Sequence, residues 1–281
     1  MPNIDLHCHS TISDGLLTPT LLVEHAAAKG VDVLALTDHD DVAGLEEARR
    51  AAIVRRIMLV NGVEISVDWR GQTLHIVGLG IDPTHRELTE GLRSIRDGRT
   101  MRARGIAAQL DKFGIHGSFE GASAYAGNKQ LIGRTHFARF LVQEGHARDV
   151  RSVFKKYLVK GKPGYVPHRW APLSDAVGWI RGSGGRAVLA HPARYRLSAA
   201  ALDELMQEFR TLGGEGIEVI TASHTPEQAL LFADHSRRMG LLASRGSDFH
   251  GPGESYFDLG QMPQLPAGCV PVWHDWKQVP S

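Results

Sequence analysis

The chain has 281 residues, a net charge of +1, 42% hydrophobic and 22% charged residues, ordinary values for a soluble globular protein of one large α/β barrel or two smaller domains. No apolar run of about 18 residues is present to span a membrane, no apolar signal core opens the chain, and two distant cysteines, Cys8 and Cys269, cannot build a disulfide framework. A cytoplasmic protein is expected, and its 15 histidines are many for the commonest metal-ligating side chain.

In chain order, Asn3–Ser10 reads as a first strand. Ile4 and Leu6 fall on one face; Asp5, His7 and His9 fall on the other, and the same alternation turns Cys8 away from the histidines. Asp14 follows on a Gly-containing loop. Leu17 to Lys29 has helical spacing and begins Thr18-Pro19, an N-cap followed by proline at the first helical position. Asp32 to Thr37 is a buried-type strand ending in Asp38-His39-Asp40-Asp41, and Val42 to Arg56 an amphipathic helix. Ile57 to Ser66 is a third strand carrying Glu64. Thr73 to Gly78, a fourth, carries His75 after a turn short enough for a hairpin.

From about residue 84 to 113 the pattern is helical and Arg-rich. Residues 114–130, rich in Gly, Ser and Ala, read as loop, and helical patterns return at 134–143 and 149–159 before the breaker Lys160–Tyr165. The β-α rhythm lapses over residues 99–168, which marks an inserted, mainly helical subdomain between barrel segments 1–98 and 169–281. It resumes with helix 174–181, strand 186–191, helix 199–212, strand 216–220, helix 226–239 and strand 241–248. The Pro-rich tail from Gly260 is expected to wrap the surface. Repeated βα units imply a mainly parallel sheet, and seven strands suggest a distorted (β/α)7 TIM-like barrel. No Gly-rich phosphate fingerprint follows the first strand, which argues against a dinucleotide site.

Charge is uneven. Residues 93–169 hold 16 Lys and Arg against 5 Asp and Glu, a net +11, and the remainder is −10. Beside ordinary solvated helix faces, this asymmetry suggests that the middle segment receives an anionic substrate.

Nine potential ligands stand at or just past predicted strand ends: His7, His9, Asp14, His39, Glu64, His75, His191, Asp248 and His250. In a parallel α/β barrel that face holds the active site. Any one histidine alone is more simply a hydrogen-bonded core residue; nine together point to metal. Three ions at four- to five-coordination have about twelve to fifteen positions to fill, and nine protein ligands, with bridging hydroxide, water and substrate completing the shells, suit three better than one. Nitrogen and oxygen donors without thiolate suit Mn²⁺, Zn²⁺, Fe²⁺ or Mg²⁺, with Mn²⁺ placed first. Asp5, Asp38 and Asp40 are candidates to orient the imidazoles, and Glu218 is either an orienter or structural.

The motifs Asp5-Leu6-His7-Cys8-His9-Ser10, Thr37-Asp38-His39-Asp40, Gly62-Val63-Glu64, Ala190-His191-Pro192 and Ser247-Asp248-Phe249-His250 resemble those of the polymerase-and-histidinol-phosphatase (PHP) family. The resemblance implies a distorted (β/α)7 barrel with a trinuclear metal centre that hydrolyses phosphoesters. It further implies one metal on His7, His9, Glu64 and Asp248, a second on Glu64, His75 and His191, and a third on Asp14, His39 and His250. The length and the basic insert look like the subgroup that removes the 3'-phosphate of nucleoside 3',5'-bisphosphates, whose relatives also degrade short RNA from the 5' end. Nucleotide bisphosphate, with short single-stranded RNA as a further substrate, is the expected partner; no membrane and no obligate protein partner are expected.

Asn128, Lys129, Arg134 and Thr135, on a loop running into a helix N-terminus, are candidates to hold the second phosphate. Arg169, Ser223 and His224 are weaker substrate-binding candidates. His191 and His224 are the candidate catalytic histidines for the leaving-group proton, with the attacking water activated by the metals. Histidinol-phosphate hydrolysis, C–N bond hydrolysis of amidohydrolase type and a non-catalytic binding module are the competing readings. No lysine at a strand end offers the bridging carbamate common in amidohydrolases, and histidinol phosphate has no use for a middle segment (residues 93–169) of charge +11.

Overall fold

The structure, a computed structural model, describes residues 2–168 and 170–276. In chain order the elements are β1 (Ile4–Asp5), α1 (Pro19–Ala28), β2 (Val33–Leu36), α2 (Leu45–Arg55), β3 (Met58–Trp69), β4 (Gln72–Leu79), α3 (Arg86–Asp111), α4 (Ser118–Ala124), α5 (Arg134–Gln143) and α6 (Val150–Val153). There follow β5 (Ala171–Pro172), α7 (Leu173–Gly182), β6 (Arg186–Leu189), α8 (Ala199–Thr211), β7 (Gly216–Thr221), α9 (Pro226–Met239) and β8 (Leu242–Gly246).

The sheet runs β1-β2-β3-β4-β6-β7-β8, and the short β5, absent from the sequence reading, pairs with β3. The ends approach through Leu6 N–H to Arg245 O at 3.1 Å, Asp248 N–H to His7 O at 2.8 Å and a parallel bridge between Cys8 and Phe249, so the barrel nearly closes. Every pairing on the main path is parallel except the two made by β4, which runs against both β3 and β6. The cause is local. Arg70 and Gly71 both have positive φ (48° and 76°), the two-residue turn that suits the twist of a hairpin. His75 therefore lies in the first half of a reversed strand, not at a strand's carboxyl end. Reversal brings it to the face where the parallel strands finish, opposite Ser66 of β3.

Thr18 Oγ1 accepts the N–H of Leu21 and starts α1, as its Thr-Pro sequence predicts. The apolar faces of the helices pack on the outside of the sheet around Leu34, Ile65, Ile76, Leu189 and Ile217. Alternate strand residues, among them Ile4, Val33, Val77 and Val188, fill the barrel interior. The tail does more than wrap the surface. Val272 is fully buried in that interior cluster, with Trp273 and Trp276 packed beside it.

Helix α3 passes residue 98 without a break. Its first half buries Leu88, Leu92 and Ile95 on the barrel; its second half buries Ala103, Ile106 and Leu110 in a separate core with Phe137, Leu141 and Leu158. Within that second core, residues 118–124 are helical, not loop: Ala122 is buried and Phe119 packs beside it, so tertiary burial outweighs the weak helix preference of Gly and Ser. Among the described residues no helix is long and apolar enough to cross a membrane.

Candidate active site

All nine predicted ligands meet at one end of the barrel. Three donor groups form, each with its ligand atoms within 4.8 Å of one another: His7, His9, Glu64 and Asp248; His9, Asp14, His39 and His250; and His39, Glu64 and His75. The first set equals the one implied by the family resemblance. The others differ in that His9 and His39 each belong to two groups. His191 joins through Nε2, 2.9 Å from Glu64 Oε1, and His75 Nδ1 reaches the same oxygen at 2.8 Å. Glu64 is central because β3 runs down the middle of the half-barrel and turns this carboxylate inward, where it is fully buried.

Buried polar atoms normally find partners. Here Glu64 Oε2, Asp14 Oδ1, His39 Nδ1 and His191 Nδ1 have none. His39 Nδ1 comes within 2.8 Å of Glu64 Oε2 without hydrogen-bond geometry, and Nε2 of His7 and of His9 stand 3.4 and 3.3 Å from the same oxygen. Lone pairs converging on common points, with no hydrogen to share, are the arrangement divalent cations satisfy. The set therefore fits metal.

The backbone is strained to produce it. Asp40, His191 and Asp248 have φ of 50°, 27° and 53°, a region L-residues with side chains rarely adopt. Gly246 answers a different need: a Cβ there would stand 2.3 Å from the Cβ of His7, so only glycine lets β8 approach the first strand so closely.

Titration follows the crowding of charge. Burial works against charge on His250, yet Asp14 raises it to about 9. Burial, with His250 and His39, depresses His9 to about 3. Burial and then the Arg194 cation depress His191 to about 3. Burial opposes ionisation of Glu64, but His75, His39 and His7 hold its carboxyl well below the usual range.

Outside the nine, Glu218 fixes the site. Its Oε1 accepts from His7 Nδ1 at 2.7 Å, leaving His7 Nε2 to face the cluster, and its Oε2 accepts the His191 N–H at 2.6 Å. His250 Nδ1 donates to Asp248 O at 2.9 Å, which aims Nε2 at Asp14. The expectation that Asp5, Asp38 and Asp40 hold imidazoles is corrected. Asp5 accepts Ser247 N–H, Asp38 accepts from Ser10 and Ser13, and Asp40 accepts from Ser66 and from the Arg99 guanidinium. Their oxygens are engaged by backbone, hydroxyl and guanidinium donors and not by the rings, so they shape the loops around the site.

A cavity of about 740 Å³ opens beside Asp248 and His250 and is lined also by Thr135, Arg151, Arg194 and Ser223. Arg194, half-exposed, donates to Asp248 Oδ2 at 2.9 Å. The sequence reading missed it, although it lies three residues past His191 at a strand end. Arg139 was also missed. It pairs with Glu254 at 2.6 Å and donates to Asp14 O at 2.7 Å, tying α5 to two ligand-bearing loops.

The substrate-binding candidates separate. Thr135 and Ser223 reach the cavity. Arg134 sits behind it, its guanidinium 5.6 Å from the ring centre of Phe154, a lining residue, and its pKa lowered by burial and then by Arg194. The first turn of α5 leaves the N–H groups of Arg134 and Thr135 without intrahelical acceptors. Asn128 is engaged within the protein, donating to Asp41 Oδ2, in the loop after β2, at 3.0 Å and accepting Gln130 N–H of its own turn at 2.9 Å. Lys129 lines a different surface cavity with Phe119 and Glu120, because the 3-10 turn Lys129–Leu131 buries Leu131 and leaves the lysine outward. His224 is also corrected as a proton donor. Its Nδ1 donates to Val219 O at 3.0 Å, its Nε2 accepts Ala193 N–H at 3.4 Å, and its ring stacks on Phe232, so neither nitrogen is free. Arg169 lies outside the described residues.

A family model for the PHP domain matches residues 5–222. The chain is 53% identical over 275 residues to a 3',5'-nucleoside bisphosphate phosphatase of Chromobacterium violaceum, covering 98% of this chain and 96% of that one. It is 44% identical over 278 residues to the 5'-3' exoribonuclease Rnm of Escherichia coli, covering 98% and 94%. Among solved structures, an amidohydrolase from Chromobacterium violaceum with bound sulfate and no metal matches with a TM-score of 0.94 at 54% identity, covering 96% and 94%. A proposed metal-dependent phosphoesterase from Bifidobacterium adolescentis matches with a TM-score of 0.81 at 30% identity, covering 91% and 92%.

Proposed function

This chain belongs to the PHP domain family, and from that premise we propose that it is a metal-dependent phosphoesterase removing the 3'-phosphate of nucleoside 3',5'-bisphosphates. The observation that carries the reading is the nine-ligand cluster, with Glu64 shared, opening into a cavity that presents Arg151 and Arg194. The 53% identical phosphatase relative names the substrate, and the exoribonuclease relatives extend it to short RNA attacked from the 5' end.

Three divalent ions, Mn²⁺ first among them, would be held by the donor groups His7, His9, Glu64 and Asp248; His9, Asp14, His39 and His250; and His39, Glu64 and His75, with His191 beside Glu64. The family pattern gives His191 to the ion on Glu64 and His75, and leaves the third ion on Asp14, His39 and His250. When bound, such ions acidify water and neutralise charge on phosphoryl oxygens. The chain's own residues set the stage. Glu218 holds His7, and the Asp248 carbonyl holds His250, each with its lone pair aimed inward. Arg194 reaches from Asp248 toward the cavity and presents a guanidinium to a phosphate. Thr135 and the free N–H groups at the start of α5 offer a second anion cradle, with Arg134 behind them. Two phosphate sites make a group that does not react supply positioning energy for the one that does. The insert of residues 99–168 is then the substrate-holding part of the molecule. Both cysteines are free thiols, in keeping with a reducing cytoplasm.

The test is phosphate release by Mn²⁺-loaded protein from adenosine 3',5'-bisphosphate, adenosine monophosphates, histidinol phosphate and short 5'-phosphorylated RNA. The bisphosphate should exceed the monophosphates at least tenfold in kcat/KM, and equal rates would defeat the two-phosphate reading. The amidohydrolase reading is favoured by one comparison, the likeness to the 54% identical amidohydrolase from Chromobacterium violaceum. Among the described residues no lysine lines the cavity beside Asp248 and His250, and an N-acyl substrate should stay intact in the same assay.

A further inference from the structure

We propose that the apolar cavity beside the metal-cluster cavity is a nucleobase subsite, with Tyr256 as its stacking face. The inference rests on the nucleotide reading above and deepens it.

This second cavity, of about 640 Å³, shares Ala222, Ser223 and Tyr256 with the cavity over Asp248 and His250. The two adjoin at a shared wall, formed where the chain leaves β7 and where the loop after His250 turns back. Their chemistry is sorted. The cluster side presents Arg151, Arg194, Asp248 and Glu254, whereas no charged residue lines the second cavity. A substrate anchored by phosphate on the cluster side can reach it only with an uncharged part. For a nucleotide that part is the base, and the volume lies within the range of small-ligand sites.

The walls suit a flat, amphipathic ring. Tyr256 is 83% exposed on the shared rim, and its ring is braced edge-on by Phe257 at 5.0 Å between centres. Leu230, 62% exposed on α9, supplies an apolar flank. An exposed, braced aromatic ring next to a phosphate site is a common device for stacking bases without sequence preference. A second and independent sign is Thr221, 1% exposed, which also lines this cavity and whose hydroxyl has no partner. A buried hydroxyl left unpaired carries a cost that a base edge would relieve. His224 is excluded as the polar contact, because both its ring nitrogens are engaged with backbone, and it serves as wall.

The experiment compares kcat/KM of Mn²⁺-loaded protein for adenosine 3',5'-bisphosphate and for abasic ribose 3,5-bisphosphate. Wild type should favour the nucleotide about tenfold or more, the worth of one base stacked on an aromatic ring. Tyr256→Ala should collapse that preference toward unity, and Leu230→Glu should reduce it in the same direction. Both positions are exposed, so folding is not at issue. A wild-type preference near one, or a preference unmoved by Tyr256→Ala, overturns the subsite. Equilibrium binding of adenosine 5'-monophosphate against ribose 5-phosphate, by calorimetry, separates this from the phosphatase reading. If neither bisphosphate is hydrolysed, the phosphatase reading fails; a Tyr256-dependent preference for the monophosphate nucleotide would still support the subsite, and equal affinities would overturn it.

Discussion

The barrel and the insert meet at the same site but are built on opposite terms. The barrel offers ligands from strand ends, where alternation and strand direction leave each side chain little choice of position. The insert offers charge from helices, where a residue's role depends on which way its helix face is turned. Of the insert's arginines, Arg99 and Arg139 are spent on structure: Arg99 on Asp40, the neighbour of His39, and Arg139 on Glu254 and the carbonyl of Asp14. Basic charge in the insert is thus partly a fastening of the loops that carry His39, Asp14 and Glu254, and partly, as with Arg151, a lining of the cavity beside Asp248 and His250.

Four outcomes would break or sharpen this contrast. The largest effect should come from the barrel. Glu64→Gln removes the carboxylate that faces His39, His75 and His191, and should cost on the order of a thousandfold in kcat, about 4 kcal/mol, with less metal retained by elemental analysis. Full metal content and full rate would mean the cluster is structural.

Next is the fastening. Arg99→Met leaves the Asp40 carboxylate buried without its cation, and should lower stability to chemical denaturation by about 3 kcal/mol or more. If stability holds and only substrate affinity falls, Arg99 belongs to the substrate surface after all.

Glu218→Gln keeps the shape beside His7 but loses the anionic acceptor, and should weaken metal affinity by about 10- to 100-fold in a competition titration. The smallest effect should be Lys129→Ala, which changes an insert cation facing another surface cavity; KM should move less than about twofold. A large rise in KM would return Lys129 to the substrate site.

The two regions also differ in how far the sequence discloses them. His7 and His9 are legible because period-2 alternation sets them on one face and turns Cys8, between them, into the helix-covered core with its thiol on Ala35 O; Ile4 and Leu6, expected opposite the histidines, instead join the barrel interior. His75 is legible as a strand histidine, but not as one on a reversed strand, since reversal depends on the Arg70-Gly71 turn. Glu218 is legible only as a strand glutamate that either orients a ligand or is structural; the folded sheet decides between them by setting β7 where its carboxylate meets a ring 211 residues earlier. Asn128 and Lys129 look like a phosphate loop, yet a 3-10 turn that buries Leu131 decides which way they face. Arg194 could have been found by extending the strand-end rule past His191.

By itself, then, the sequence determined the repeated βα units, the nine His, Asp and Glu positions that gather at one end of the barrel, and the charge of residues 93–169. Each is a local property, set by periodicity, chain punctuation or composition. Tertiary structure alone decided which imidazoles share Glu64, which arginines fasten loops and which line the cavity, and that an apolar space adjoins the cluster. Those outcomes depend on contacts between residues far apart in the chain, and no local pattern encodes the direction in which two distant side chains meet.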